Sequence, residues 1–172
     1  ALSPEEEDIM ERLAKAFLGC EKLQDHARLL LTKGSLYKVY NGNLLYHGCV
    51  PMDENGEFSK TFIGDAEVSG KAMYDVLEEH ARRGFFGKPG TPEHQKGGDI
   101  LWYLWNGPKS PAYGRAKMAT FERLFVSDKA THKEEKDPYY NLIENVATAD
   151  KILAEFGADV AGGHIINGHV PI

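Results

Sequence analysis

The sequence is short of cysteine, of positive charge and of long apolar runs, and each shortage removes a class of function. Its 172 residues hold two cysteines. Cys20 and Cys49 have no CxxC spacing, which argues against a zinc site of paired thiolates. Two cysteines do not make a disulfide-rich secreted scaffold either, so both are expected to be buried, reduced thiols in a cytoplasmic protein. Lysine and arginine number 20 against 26 acids, giving a formal charge of −6 and a pI of about 5.6. That balance does not supply the basic face that nucleic acid requires. No apolar run approaches the roughly 18 residues that span a bilayer, so no membrane partner is expected. The opening ALSPEEEDIM is acidic and is not a signal peptide. The chain has no GxxxxGK[ST] loop, no internal repeat and no clear domain boundary. It begins with alanine, so it is read as a piece of a longer protein.

The 42% apolar and 27% charged residues suit one soluble unit with a sizeable core. Ser3-Pro4-Glu5-Glu6-Glu7 predicts a helix start: a cap, a proline at the first position, and acids at the positive end of the helix dipole. Ile9, Leu13 and Phe17 continue the stripe, with Gly19 ending it. A second helix is predicted from Glu21 to Lys33, stopped by Gly34. The period then changes. Asn41-Gly42 between Leu36, Val39, Leu44 and Leu45 predicts a hairpin, with His47 at or just past the end of its second strand. Asp53 to Gly56 predicts a turn, and 58–68 one or two edge strands. Lys71 to Phe86 predicts a helix with Ala72, Val76, Leu77 and Ala81 facing inward. Residues 87–98 read as a mobile loop, and Asp99 to Trp105 as a buried apolar segment. NGPKSPAYGRAK (106–117) reads as a loop, 118–125 as a short helix or strand, and 127–138 as a solvated charged run. Leu142 to Phe156 predicts the last helix, ended by Gly157. His164 to Val170 predicts a buried strand with a histidine at its tip.

The histidines carry the chemistry. His47-Gly48 and Gly168-His169 each close a short apolar run, and strand ends with a small neighbour suit metal ligands. For an isolated histidine a structural role is the commoner reading, and the matching context of the two raises the ligand reading without displacing it. His164 and His169, five apart, point to opposite faces of a strand and do not bind one ion directly. His164 is therefore read as a hydrogen-bonded structural residue. His26, His80, His94 and His132 read as surface residues. Lys109, Arg115 and Lys117, with the hydroxyls of Ser110 and Tyr113, make a loop that can hold phosphate or simply be solvated. Glu5 to Asp8 and Glu134-Glu135 read as solvation.

NGNLLYHGCVPMDENGEF, DILWYLWNGPKSPAYGRAKMATFER, THKEEKDPYY and GHIINGHVP together resemble the class III, Firmicutes-type fructose-1,6-bisphosphatases, which belong to the calcineurin-like metallophosphoesterases. The resemblance runs over nearly the whole chain. It implies a mixed α/β fold: part of a calcineurin-like β-sandwich flanked by helices, with a helical and loop insert between the HG and GH motifs. The chain is then one fragment of the phosphatase domain. Residues 1–34 are a helical lead-in, 35–68 the hairpin with the HG motif, 69–145 the insert, and 146–172 the final helix and GH strand.

In that superfamily two metal ions clamp a phosphate and activate a bridging water. The resemblance makes His47 and His169 ligands of the second metal, with manganese expected and magnesium the alternative. It makes fructose 1,6-bisphosphate the substrate, cleaved at its 1-phosphate in gluconeogenesis. Lys109, Arg115, Lys117 and Arg123 are the candidate phosphate contacts, and no residue is assigned the catalytic step itself. The family's DxH, GDxxDR and GNH motifs are absent, so the chain alone is expected to be inactive. Two readings stay open beside this one: a metallophosphatase of another phosphoester, and a non-catalytic oligomerisation or regulatory domain. Strands that lost upstream neighbours would expose edges, so the isolated chain is expected to self-associate. A monomer by light scattering would contradict that.

Overall fold

The computed structural model describes residues 2–170 and divides into two compact units, Ala1–Ser35 and Leu36–Ile172. The first unit is a pair of helices, α1 (Pro4–Leu18) and α2 (Glu21–Lys33). Ser3 caps α1 by accepting the N–H of Glu6, whose carboxylate accepts the N–H of Ser3 in return. Neither helix buries a residue. Cys20 is exposed, correcting the expectation of a buried thiol; Cys49 is fully buried.

The second unit mixes helices with two small sheets. Strands β1 (Tyr37–Tyr40) and β2 (Asn43–Tyr46) form the predicted hairpin. Asn41 and Gly42 take φ of 50° and 77°, the left-handed pair that a tight hairpin turn demands. Strands β3 (Thr61–Ile63) and β4 (Ala66–Val68) form a separate antiparallel pair. Helix α3 (Gly70–Phe86) follows, then α4 (Pro92–Asn106), α5 (Thr120–Phe125), α6 (Tyr139–Leu142) and α7 (Val146–Phe156). A two-residue strand β5 (Ile165–Ile166) joins the hairpin sheet beside β2, in parallel, giving the order β1-β2-β5.

Two apolar clusters organise this unit. One packs Leu44, Tyr46, Val50, Met52, Tyr74, Tyr139, Ile152 and Phe156 behind the three-stranded sheet. Three of its hydroxyls are satisfied inside it: Tyr46 and Tyr139 share a 2.6 Å hydrogen bond, and Tyr74 donates to the carbonyl of Cys49, whereas the buried hydroxyl of Tyr140 has no hydrogen-bond partner among the described residues. The other cluster packs Ile63 and Val68 with Met73, Leu77 and Ala81 of α3 and Ile100 and Leu104 of α4. Helix α3 therefore feeds both.

Several sequence expectations change. Residues 92–98 are helical, because Thr91 caps α4 through the N–H of His94 and Pro92 occupies its first turn. Gly97, which reads as a loop residue, sits where α4 crosses α3; a Cβ there would lie 2.1 Å from the Cα of Gly84. The apolar segment 99–105 is not buried as a whole: Ile100 and Leu104 are, while Trp102 and Trp105 remain 62% and 59% exposed. Ala72 faces solvent, and Met73 and Tyr74 take the inward positions. The charged run 127–138 contains a short 3₁₀ turn, Lys129–His132, and ends on a buried aspartate, Asp137. The last helix begins at Val146, capped by Asn145, rather than at Leu142. The stretch after His164 is an exposed edge strand of two residues, and only Val170 within it is buried.

Candidate functional site

Parallel pairing of β2 with β5 places the C-terminal ends of both strands at one edge of the sheet. The register Leu44↔Ile165, Leu45↔Ile166 brings His47 level with the residues just past β5. The pairing continues beyond the strands, where Gly168 donates to the carbonyl of His47 at 3.0 Å. The Asn167 amide donates to the carbonyl of Gly48 at 2.8 Å. His169 then turns back in a left-handed conformation, φ 67°. That conformation is uncommon for a side chain and costs on the order of 1 kcal/mol, so the surrounding bonds hold it in place.

The result is a histidine pair. His47 Nε2 and His169 Nδ1 lie 2.9 Å apart, with ring centroids 4.7 Å apart, although the residues are 122 positions apart in sequence. Both are exposed at the surface. The two rings are hydrogen-bonded at this 2.9 Å distance, which is also close to the about 3.0 Å that separates two nitrogens bound at about 2.1 Å and at a right angle to one octahedral ion. Desolvation lowers the pKa of His169, and the charges of His47 and Arg115 lower it further, while a hydrogen bond to the Tyr113 backbone opposes the shift. A lowered pKa keeps the ring neutral, the form that binds metal. Among the described residues no group of three or more His, Cys, Asp or Glu side chains gathers around an ion site. The chain therefore offers two imidazole donors.

The glycine after His47 has a physical reason. A Cβ on Gly48 would meet the carbonyl oxygen of Pro111 at 2.4 Å and that of Ala112 at 3.0 Å. Only glycine lets the 106–117 loop lie against the strand end, where Cys49 also donates to the carbonyl of Pro111. Through this contact the loop reaches the pair: the Tyr113 ring lies 6.1 Å from that of His169.

The candidate phosphate contacts separate. Lys109 and Arg115 line one cavity of about 400 Å³, together with Lys136, Asp53, Glu135 and Asp137. Lys117 instead donates to the carbonyl of Thr131, and Arg123 to that of His132. The loop hydroxyls are engaged in the fold: Ser110 donates to the carbonyl of Leu104 and Tyr113 to that of Lys117. Of the remaining histidines, His164 hydrogen-bonds Asn43, His94 the carbonyl of Gly84, and His132 the carbonyl of Val126. His94 and His132 are half-buried by these contacts rather than surface residues, and His80 is half-buried as well.

Sequence reasoning missed Glu134. Read as solvation, its side chain is only 10% exposed and binds Arg115 at 2.9 Å and Arg123 at 3.5 Å. Its partner Arg115 is 19 positions away, beyond any local spacing rule.

The family model described as Firmicute fructose-1,6-bisphosphatase matches residues 1–172. The class 3 fructose-1,6-bisphosphatases of Fusobacterium nucleatum and Clostridium acetobutylicum are each 46% identical over 171 residues. That of Staphylococcus aureus strain MSSA476 is 48% identical. Each alignment covers 99% of this chain and 26% of the relative. No solved structure matches. The chain thus spans 26% of the length of these curated relatives, and it belongs to the Firmicute fructose-1,6-bisphosphatase family.

Proposed function

We propose that this chain forms part of a fructose-1,6-bisphosphate 1-phosphatase and gives that enzyme two histidine ligands, His47 and His169, for a divalent cation. The full-length protein hydrolyses fructose 1,6-bisphosphate to fructose 6-phosphate and phosphate. The convergence of the two ring nitrogens to 2.9 Å carries the reading. The names of the relatives supply the substrate class.

A divalent ion bound there supplies charge neutralisation at a phosphoryl group and a bound water of lowered pKa. The chain's own residues hold and orient it. The β2–β5 pairing sets the imidazoles, and Gly48 admits the loop that carries Tyr113 to them. Two neutral imidazoles cannot balance a dinuclear site, so its carboxylates come from elsewhere in the full-length protein and this chain alone is inactive. Those oxygen ligands favour manganese or magnesium, and the imidazoles tilt the choice to manganese. The three-stranded sheet is then one piece of a calcineurin-like sandwich. Exposed Phe121, Leu124 and Phe125 support self-association of the isolated chain.

Phosphate release from fructose 1,6-bisphosphate by the full-length protein, native against His169→Ala, tests the reading. Loss of activity by about 100-fold or more is expected when the ligand is removed. An unharmed variant would overturn it.

A further inference from the structure

We propose, resting on the ligand reading above, that Asn167 is a positioning residue for the histidine pair: its side-chain amide, bonded to the carbonyl of Gly48, holds His169 where its ring converges on His47. The need for such a residue arises in the backbone at His169. Its φ is 67°, and the N–H of Val170 donates to the carbonyl of Gly168 at 2.8 Å. A positive φ inside a bond that spans three residues makes a γ-turn of the rare, strained hand. A histidine there relaxes to negative φ unless both flanks of the turn are held. That relaxation would swing the ring away from His47.

Both flanks are held. After the turn, Val170 is 5% exposed and packs into the apolar cluster behind the sheet. Before it, two bonds cross to the neighbouring strand end. The N–H of Gly168 donates to the carbonyl of His47 at 3.0 Å, and the Asn167 amide to the carbonyl of Gly48 at 2.8 Å. The first bond is backbone to backbone, so it does not depend on which residue stands there. The second is made by a side chain, and it reaches beyond the last strand pair, Leu45↔Ile166. Its acceptor is a fixed point, because Gly48 is buried and the carbonyls of Pro111 and Ala112 leave no room for a Cβ on it. One amide thus ties the residue after one imidazole to the residue two before the other. Asn167 itself is exposed and fills no core space, so its contribution is to the geometry of the strand ends. The ring-to-ring hydrogen bond cannot replace it. That bond is given up when both nitrogens turn to an ion, whereas the Asn167 bond remains.

The test uses the full-length protein. The dissociation constant for manganese, the urea midpoint, and kcat and KM for fructose 1,6-bisphosphate at saturating manganese are measured for native protein, Asn167→Ala, Asn167→Gln and His169→Ala. Asn167→Ala is expected to weaken manganese binding about tenfold or more, with the urea midpoint close to native. At saturating manganese its kcat is expected to stay about tenfold low while KM remains within about twofold of native. Asn167→Gln keeps the amide donor on a longer stem and is expected to recover part of the loss. Should Asn167→Ala fail to fold by thermal melting, Asn167→Ser carries the test, because its hydroxyl is too short to reach the carbonyl. Manganese affinity within about twofold of native would overturn the inference, as would a lowered urea midpoint with native affinity and kcat, which is the mark of a structural bond alone. A native protein that takes up no manganese, or takes it up regardless of His169→Ala, fails the ligand reading itself. Manganese binding that needs His169 and is indifferent to Asn167 fails this inference alone.

Discussion

Gly97 and Gly98 are neighbours on α4, and alanine at each should change stability in opposite directions. At Gly97 an added Cβ meets the Cα of Gly84 at 2.1 Å, its N at 2.8 Å and the carbonyl oxygen of His80 at 3.0 Å. Carbon pairs rest at about 3.5–4.0 Å, so α3 and α4 must separate by about 1.5 Å along that line. The obstacle is backbone, which has no alternative rotamer. The separation loosens the packing of Met73, Leu77 and Ala81 against Ile100 and Leu104. Overpacking costs about 1–3 kcal/mol, and the backbone clash places this site at or above the upper end. Replacing a helical glycine returns about 1 kcal/mol. The net loss is about 2 kcal/mol. At Gly98 nothing lies within 4 Å of the added carbon, so the helix gain of about 1 kcal/mol stands alone. Both tryptophans of the chain, Trp102 and Trp105, sit on this helix and report its unfolding by fluorescence. With a urea slope of about 2–3 kcal/mol per molar, Gly97→Ala lowers the midpoint by about 1 M and Gly98→Ala raises it by about 0.4 M. Midpoints that move together, in either direction, would refute the close crossing.

Two further predictions concern ionisable groups. Cys20 is exposed, whereas burial and the nearby Asp137 charge push the Cys49 thiol up; a thiol reagent should therefore titrate one cysteine per native chain and two in denaturant. Burial raises the pKa of Asp137, although the N–H groups of Met52 and Tyr139 oppose the shift. The folded chain thus holds this proton above the ordinary carboxylate value of about 3.9, where the unfolded chain has released it, and the group's contribution to stability falls as pH rises through the shifted value. Asp137→Asn keeps an acceptor for both N–H groups and removes that loss, so its stability relative to native should grow between about pH 4 and 7 in urea titrations. A difference that does not change with pH would contradict the assignment.

What the sequence made legible followed from local rules. The Ser3 cap, the Asn41-Gly42 turn and the Gly157 stop, with φ 68°, each depend on residues within one turn of chain. The first half of α4 was hidden because glycine is a loop signal unless a second helix crosses at that point, and Gly84 lies far upstream. The apolar run of α4 suggested burial, but a helix in contact on one side leaves Trp102 and Trp105 outward. His47 and His169 were legible as a pair through their matching glycine neighbours, while their 2.9 Å approach required the parallel β2–β5 register. Glu134 was hidden because an acid in a charged run has no local sign of burial.

Manganese binding to the full-length protein decides whether His47 and His169 are ligands. Free manganese would be followed by its paramagnetic resonance signal as native protein, His47→Ala and His169→Ala are added in turn. The native protein is expected to remove manganese from solution, and each substitution to weaken that binding by about 100-fold or more. Native-like binding by both variants would show that the histidine pair is structural and not a metal site.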